Sequence, residues 1–333
     1  MLRVRKLLAG ITLLGLGVTA VVTAVVTAAG PAQAAPDRKY GPAVEIADAD
    51  SEADAINDAG LVVGMASGFD FVPHAFTWQA GVRTDIGSGW IPRAVADTGH
   101  IAGDVVGTDG KPTRAVLWVD GAFTDLGTLG GPNSHVMAMN DRDQVVGYSD
   151  LPDGRIGAFL WQNGTMTALA NPYGGNSAAR DINARGEIVG WALDQAGATG
   201  GVRWRGGAVT FLGATVIQDA AAINDRGDIV GNTYVGADLH ARLWRHGQVT
   251  DLGSMGYKGP NGDSYTRADD LTDDGLVAGD SYGADGIRHA FVWNAGRYTD
   301  LGQGLVVGIT ATGTVAGNAA EFPRVGLVWQ PLT

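Results

Sequence analysis

Charged side chains at a few recurring positions of this sequence are the residues best suited to chemistry. Two of them, Asp181 and Asp270, stand where every other repeat has alanine or glycine, so packing does not explain them, and the others lie one to three residues before that position. Carboxylates beside arginines can hold a polar ligand, or they can supply the acid and base of a hydrolase or lyase. Buried charges are also often paired with each other for structural reasons. The candidate site residues are Asp54, Arg93, His135, Arg180, Asp181, Arg267, Asp269 and Asp270.

Aromatic residues form a second candidate set. They lie in or beside the connections that vary most between repeats, and function usually resides on such connections. Exposed rings around a polar centre suit carbohydrate or peptide binding, although some of these rings could simply cap the fold. The longest connection, residues 253–269, is the best candidate for a lid. The aromatic candidates are Phe69, Phe71, Trp90, Tyr173, Trp191, Tyr257 and Tyr265.

No catalytic residue is assigned, because no known catalytic motif occurs in the structural context that it requires. This holds for the Gly-x-Ser-x-Gly elbow, the His-Glu-x-x-His helix and the glycine-rich phosphate loop. His74, His240 and His289 share one repeat position, which favours a structural role over a metal site. We expect no metal site and no cofactor, with calcium at the Asp-Gly turns 109–110, 153–154 and 285–286 as the alternative.

The body of the chain consists of seven repeats of one sequence motif. The phrase apolar-Asn-Asp-x-Gly-x-Val-Val-Gly appears first at residues 56–64, and its closing glycine recurs at a mean interval of about 42 residues. A tryptophan recurs once in each unit at the same mean interval. The closing glycines are Gly64, Gly103, Gly147, Gly190, Gly231, Gly279 and Gly317. The tryptophans are Trp78, Trp118, Trp161, Trp204, Trp244, Trp293 and Trp329.

Each repeat is predicted to form four short strands. In the first repeat one strand ends at Ile56 and the others cover residues 61–66, 74–78 and 82–86, with glycine-containing hairpin turns after the first and third strands. Four-stranded units of this length are typical of propeller blades. The sequence therefore predicts an all-β, seven-bladed β-propeller. A β-helix fits poorly, because its coils are shorter than this repeat.

The two ends of the chain predict how the ring closes. The seventh repeat stops after its third strand, whereas a spare strand, Val44-Glu45-Ile46, precedes the first repeat. Pairing between them would complete blade seven and leave no open sheet edge between the first and last blades. We therefore expect one propeller domain at residues 42–333. A short linker at 35–41 and a signal peptide at residues 1–34, which the features of the N-terminal segment indicate, would precede it.

The N-terminal segment has the features of an export signal. Arg3, Arg5 and Lys6 precede an uncharged apolar run from Leu7 to about Gly30, and Ala32-Gln33-Ala34, a small-x-small cleavage pattern, follows it. We expect cleavage after Ala34 and a secreted protein with no membrane span. An uncleaved N-terminal membrane anchor is the alternative, because a run of about 24 residues is long enough to cross a bilayer.

Composition excludes several protein classes. The 333 residues include 52 glycines, and 45% of them are hydrophobic against only 17% charged, which indicates a folded repeat and not a disordered chain. The 23 basic and 35 acidic residues give a net charge of −12, which would repel a nucleic-acid backbone. There is no cysteine, so a secreted form must depend on its core and not on disulfides.

Several recurring elements resemble a known repeat family. His74-Ala75-Phe76 and His289-Ala290-Phe291 each precede an apolar residue and a tryptophan, and Thr-Asp-Leu-Gly follows in several units. In this order they look like the bacterial extracellular repeat family named for its His-Ala-Phe (HAF) tripeptide. The resemblance covers residues 42–333 and implies an exported repeat protein, but no activity and no catalytic residue. Some units depart from it, such as Arg114-Ala115 in the second repeat.

Functions from different classes remain open at this point. The first is a secreted binding or scaffold module, present as a monomer, for an extracellular glycan, peptide or protein such as a cell-surface partner. The second is a hydrolase or lyase with a polar active site at the mouth of the propeller channel. A third, a structural coat or matrix protein, would self-associate.

Overall fold

The described part of the chain folds into strands and turns. The computed structural model describes residues 20–21, 26–28, 38–46, 50–67, 72–107, 112–213, 215–321 and 324–332. These residues form seven antiparallel blades, each with an inner, a second, a third and an outer strand. Each inner strand contacts the inner strand of the next blade, and the last contacts the first. The prediction of a seven-bladed β-propeller is confirmed.

The strands follow one another in the same order in every blade. The inner strands are Ser51–Ile56, Trp90–Val95, Ser134–Met139, Ser177–Ile182, Asp219–Ile223, Thr266–Leu271 and Leu305–Ile309. The second strands are Val62–Ser67, Ile101–Val105, Val145–Asp150, Ile188–Leu193, Ile229–Val235, Val277–Tyr282 and Val315–Asn318. The third strands are Pro73–Gln79, Arg114–Val119, Ile156–Gln162, Thr199–Arg205, Asp238–Arg245, Arg288–Asn294 and Gly326–Trp329. The outer strands of blades one to six are Val82–Ser88, Ala122–Asp125, Thr165–Ala168, Ala208–Phe211, Gln248–Asp251 and Arg297–Gln303.

Blade seven takes its outer strand from the N-terminal side of the chain. Val44–Glu45 pairs antiparallel with the third strand of blade seven, with Val44 opposite Val328. Ile46 is 3% exposed and packs in one cluster with Trp78 of blade one and Val328 of blade seven. The predicted closure of the ring is therefore confirmed.

Part of the predicted signal segment lies among the described residues. Two short strands, Ala20–Val21 and Val26–Ala28, pair in parallel with the outer strands of blades four and five. The rest of residues 1–37, including the expected cleavage site, lies outside the described residues. The described part of the chain contains no helix long and apolar enough to cross a membrane.

Each inner strand carries a β-bulge at one equivalent position. The pairing with the second strand shifts between Ala179 and Asp181, for example, which leaves Arg180 as the extra residue. A bulge adds a residue to one strand and re-aims its side chain. The bulged residues are Asp54, Arg93, Met137, Arg180, Ala221, Asp269 and Val307.

The closing glycine of each repeat lies directly opposite the bulge. A Cβ atom on Gly190 would come 2.1 Å from the carbonyl oxygen of Ala178 and 2.9 Å from the Cα of Ala179. The same clash with an inner-strand carbonyl oxygen, at 1.9 to 2.4 Å, recurs at all seven closing glycines. Real Cβ atoms essentially never come this close to backbone, so the bulge and the glycine require each other.

Two sets of hydrogen bonds link the hairpin turns of successive blades. The amide of Asn183 accepts a bond from the backbone N of Glu187 within its own turn and donates one to the carbonyl of Asn224 in the next blade. Asn57, Asn140 and Asn224 make equivalent bonds to the next blade. The aspartate at the next turn position accepts a hydrogen bond from a backbone N–H group of the preceding blade. These carboxylates belong to Asp58, Asp97, Asp141, Asp225 and Asp273.

The tripeptide histidines have structural partners. The Nδ1 atoms of His240 and His289 lie 2.8 and 2.9 Å from the carboxylates of Asp251 and Asp300 on the outer strand of the same blade. In blade two, where arginine replaces histidine, Arg114 bonds to the equivalent Asp125 at 3.0 Å. This arrangement agrees with the structural role expected for these histidines.

Replacing a closing glycine should destabilise the whole propeller. We expect Gly190→Ala to lower the free energy of unfolding by about 1–3 kcal/mol or more, because the new methyl group would clash with backbone atoms of Ala178, Ala179 and Arg180. Chemical denaturation measures this change. The matched control is Gly41→Ala, where the nearest atom is a leucine methyl carbon at 3.5 Å and we expect a change within about 0.5 kcal/mol. Equal effects of the two substitutions would contradict the interpretation.

Candidate functional site

The first polar cluster joins the bulges of blades one and two to blade three. Nη1 of Arg93 lies 3.1 Å from Asp54, and its Nε lies 3.5 Å from Asp104. Asp104 also accepts a bond from the backbone N of Val136 at 2.9 Å, and its other oxygen lies 3.5 Å from Nδ1 of His135. Burial raises the pKa of Asp54 to about 7, although Arg93 opposes this rise. The structure therefore brings three of the candidate residues into one network.

The second cluster spans blades four and five. Arg180 donates from Nε and Nη2 to the two carboxylate oxygens of Asp219, at 3.2 and 3.0 Å. This bidentate ion pair is a strong and geometrically specific contact between arginine and a carboxylate. The side chains of Arg180 and Asp219 are about one-third exposed, so the pair is accessible to solvent.

The third cluster belongs to blade six. Nη2 of Arg267 lies 2.7 Å from Asp269, whose side chain is 8% exposed. Asp280 is fully buried within hydrogen-bonding reach of Asp269, and Arg288 lies 3.5 Å from it. Burial raises the pKa of both Asp269 and Asp280. One Asp269 oxygen and both Asp280 oxygens have no hydrogen-bond partner among the described residues, and a proton shared between the two carboxyl groups would satisfy one oxygen of each.

Asp181 and Asp270 form links between blades. Asp181 accepts bonds from the backbone N of Ile182 at 2.8 Å and of Ile223 in blade five at 2.7 Å. Asp270 accepts equivalent bonds from Leu271 and from the inner strand of blade seven. Burial raises the pKa of Asp181 to about 6 and that of Asp270 to about 7, against the lowering effect of these bonds. Within the described part of the chain, neither carboxylate forms an ion pair with an arginine, although Asp181 follows Arg180 in the sequence.

Sequence reasoning missed three carboxylates of these clusters, Asp104, Asp219 and Asp280. Asp104 and Asp280 each directly follow a closing glycine, at a position that is Met, Tyr, Trp or Asn in the other blades. Asp219 stands two residues before the bulge of blade five, where blades three and six have His135 and Arg267. Aligning the repeats at these two positions would have found all three residues.

The aromatic candidates do not form one patch. The expectation that Trp90 is an exposed connection residue is wrong, because it begins the inner strand of blade two and is 1% exposed under Trp118 and Phe123. Trp191 lies on the second strand of blade four, and Tyr173 packs on Phe211.

Of the aromatic candidates that the structure describes, only Tyr257 is exposed, at 43%. Tyr265 is half-buried beneath the guanidinium of Arg288, which lies 5.5 Å from its ring centre. Phe69 and Phe71 lie outside the described residues.

The Asp-Gly sequences that suggested calcium are hairpin turns where the structure describes them. Asp153 is bonded to Arg155, and Asp285 is bonded to His289 and Gln303. Within the described residues, no three His, Asp or Glu side chains converge as metal ligands do. Asp109 lies outside these residues, and calcium binding stays a prediction.

One serine lies in a sequence that matches the nucleophile-elbow motif. Residues 279–283 spell Gly-x-Ser-x-Gly, but Ser281 is 1% exposed within a regular strand, and its hydroxyl donates to the carbonyl of Tyr265. A nucleophile elbow instead presents its serine at a sharp turn between a strand and a helix. Ser281 therefore stabilises the blade.

Comparison with solved structures supports the fold alone. The WD40 propeller domain of Doa1 is 14% identical, with a TM-score of 0.55, over 88% of this chain and 97% of that chain. An acylaminoacyl peptidase from Pyrococcus horikoshii is 11% identical, with a TM-score of 0.54, over 81% of this chain and 50% of that chain. A putative TolB from Agrobacterium tumefaciens is 10% identical, with a TM-score of 0.51, over 76% of this chain and 94% of that chain. The sequence matches no protein-family model and no curated protein significantly.

The buried carboxyl groups predict how stability depends on pH. Asp181 and Asp270 have a higher pKa in the folded protein than the value of about 3.9 expected for an unfolded chain. The folded state therefore holds more protons between about pH 4 and pH 7, and the free energy of unfolding should fall as the pH rises through this range. For each carboxyl we expect a loss on the order of 2–4 kcal/mol.

Denaturation midpoints at pH 4.5, 6 and 8 test this expectation. Asp181→Asn and Asp270→Asn should each flatten the pH dependence, whereas Asp120→Asn, at an exposed turn, should leave it unchanged. Stability that rises from pH 4.5 to pH 8 would refute the account of these carboxyls.

Proposed function

We propose that this protein is an exported propeller that binds an extracellular glycan, peptide or cell-surface partner at the mouth of its channel, without catalysis and as a monomer. Export is supported by the basic start, apolar run and Ala32-Gln33-Ala34 of the N-terminal segment, and by the resemblance to the His-Ala-Phe repeat family. The structure contributes the propeller and its polar channel-lining groups.

The main support for the proposal is that aspartates fix three exposed arginines in place. Arg93, Arg180 and Arg267 are 36–49% exposed, and each is fixed by at least one carboxylate. Arg93 and Arg180 each use two of their nitrogens for these bonds, and a guanidinium has five N–H donors. Donors that are already oriented lose little entropy when a ligand binds, which is the advantage of a preformed binding site.

The charge balance of this site indicates the class of ligand. Each exposed arginine has an aspartate beside it, so the clusters have no large excess of positive charge. A strongly anionic polymer would also be repelled by a chain with a net charge of −12. Oxygen-rich ligands of low charge, such as the hydroxyls of a glycan or the carbonyls of a peptide, match such donors best.

Binding to oligosaccharide and peptide arrays tests the proposal. We expect Arg180→Gln and Arg267→Gln each to weaken binding of the recognised ligand by about tenfold, which is the effect of losing one charge-assisted hydrogen bond. The control is Arg226→Gln, an exposed arginine in a hairpin turn of blade five, which should bind like the original protein. Equal binding by all three variants would contradict a site at the channel mouth.

A hydrolase or lyase is the second candidate, and the carboxyl pair of blade six favours it. Burial raises the pKa of Asp269, so this carboxyl group can hold a proton near neutral pH as a general acid does. Mass spectrometry of the bound ligand separates the two functions. Product formation that Asp269→Asn abolishes would establish the enzyme, whereas an intact ligand after long incubation supports the binding module.

A further inference from the structure

A separate cleft lies outside the channel, where the ring is closed. It is open and has a volume of about 730 Å³. It lies between residues 38–40, which precede the outer strand of blade seven, and the outer strand of blade six. A cleft of this size can hold a molecule of one or two sugar rings. Its lining residues are Arg38, Lys39, Tyr40, Arg297, Tyr298, Thr299, Asp300 and Leu332.

The charge of this cleft is opposite to that of the whole chain. Three basic residues, Arg38, Lys39 and Arg297, line the cleft together with one acidic residue, Asp300, in a protein with more acidic than basic residues. Both Asp300 oxygens already contact Nδ1 of His289, at 2.9 and 3.1 Å, and one also accepts from the backbone N of Gly302 at 2.8 Å. Burial lowers the pKa of His289, but its bonds to Asp285 and Asp300 outweigh this and raise it, which favours the charged imidazolium.

The basic side chains of the cleft differ in how they are held. Arg38 makes an ion pair with Asp274 at 3.3 Å, outside the cleft lining. Lys39 is exposed, and its ammonium has no hydrogen-bond or ion-pair partner among the described residues. Its backbone is fixed, because its carbonyl accepts a bond from Leu332 at 2.7 Å. Lys39 is therefore a cation on an anchored backbone, beside a cleft that other cations line.

Two tyrosines give the cleft rigid aromatic walls. The hydroxyl of Tyr40 donates to the carbonyl of Gly313 at 2.9 Å, and that of Tyr298 donates to the carbonyl of Leu252 at 3.1 Å. Burial raises the pKa of Tyr40 to about 12 and that of Tyr298 still further, so both stay protonated donors. Fixed rings offer apolar contact area at little entropic cost, as sugar-binding sites require.

We propose that this cleft binds a sugar that carries an anionic group, either a carboxylate or a phosphate, with Lys39 and Arg297 on the anion and the tyrosines beside the ring. This site is independent of the channel mouth. An acidic sugar would be held here although the protein as a whole is acidic, because the local charge is basic.

Amide chemical shifts of the ¹⁵N-labelled protein test the proposal with four probes: glucose 6-phosphate, glucuronate, glucose and inorganic phosphate. We expect the two acidic sugars to shift the amides of residues 38–40 and 297–300. Glucose and inorganic phosphate should bind at least about tenfold more weakly, because each lacks one of the two contacts. The stronger of the two acidic sugars identifies the anion.

Charge-reversal variants localise the site. Lys39→Glu and Arg297→Glu should each weaken binding of the preferred acidic sugar by about tenfold or more, whereas Arg226→Glu in the turn of blade five should change it less than about twofold. Lys39 is exposed, so its variant should fold even if the other does not. The proposal is overturned if these amides do not shift, if glucose binds as well as the acidic sugars, or if Lys39→Glu binds like the original protein.

Discussion

A close backbone contact within each blade governs the rest of the molecule. The inner-strand bulge brings a carbonyl oxygen to the place where any Cβ of the opposing second-strand residue would stand, so this residue must be glycine. The bulge in turn adds one residue to the inner strand of each blade. The seven closing glycines thus go with seven equivalent inner-strand positions, and the fold leaves these positions chemically variable: acid, base, methionine, alanine or valine.

The charges on the channel are compatible with stability because neighbouring blades neutralise or bind them. Arg180 finds its partner Asp219 in the next blade, and Asp104 bonds to the inner strand of the next blade. The buried Asp181 and Asp270 bond to backbone N–H groups of an adjacent blade. Interfaces between blades therefore combine hydrophobic packing with polar contacts that also orient the exposed arginines. The contacts that join the blades therefore also fix the arginines of the proposed binding site.

The regular repeat of the sequence made the fold predictable. The site was less predictable, because several of its contacts join residues of different blades. The strands of blade one were placed within two residues, and the N-terminal closure followed from a missing strand in the seventh repeat. Asp181 and Asp270, which directly follow the bulge, were found because alignment exposed charges among alanines, and this drew attention to the charged residues beside them. Their partners were missed because pairing depends on which side chains meet across blades. Trp90 was misplaced because only Gly89 separates it from blade one, so no loop is present to expose it.

Thiol labelling at the bulge of blade five tests the central claim most directly. The chain contains no cysteine, so Ala221→Cys and Ala222→Cys each introduce a single reactive group. Ala221 is the bulged residue, whereas Ala222 is 3% exposed in the core between blades five and six. The account predicts that a maleimide modifies Cys at position 221 in the folded protein, and modifies it at position 222 only after unfolding. Equal rates at the two positions, or faster reaction at 222, would contradict the bulge and the accessibility that it gives to residue 221.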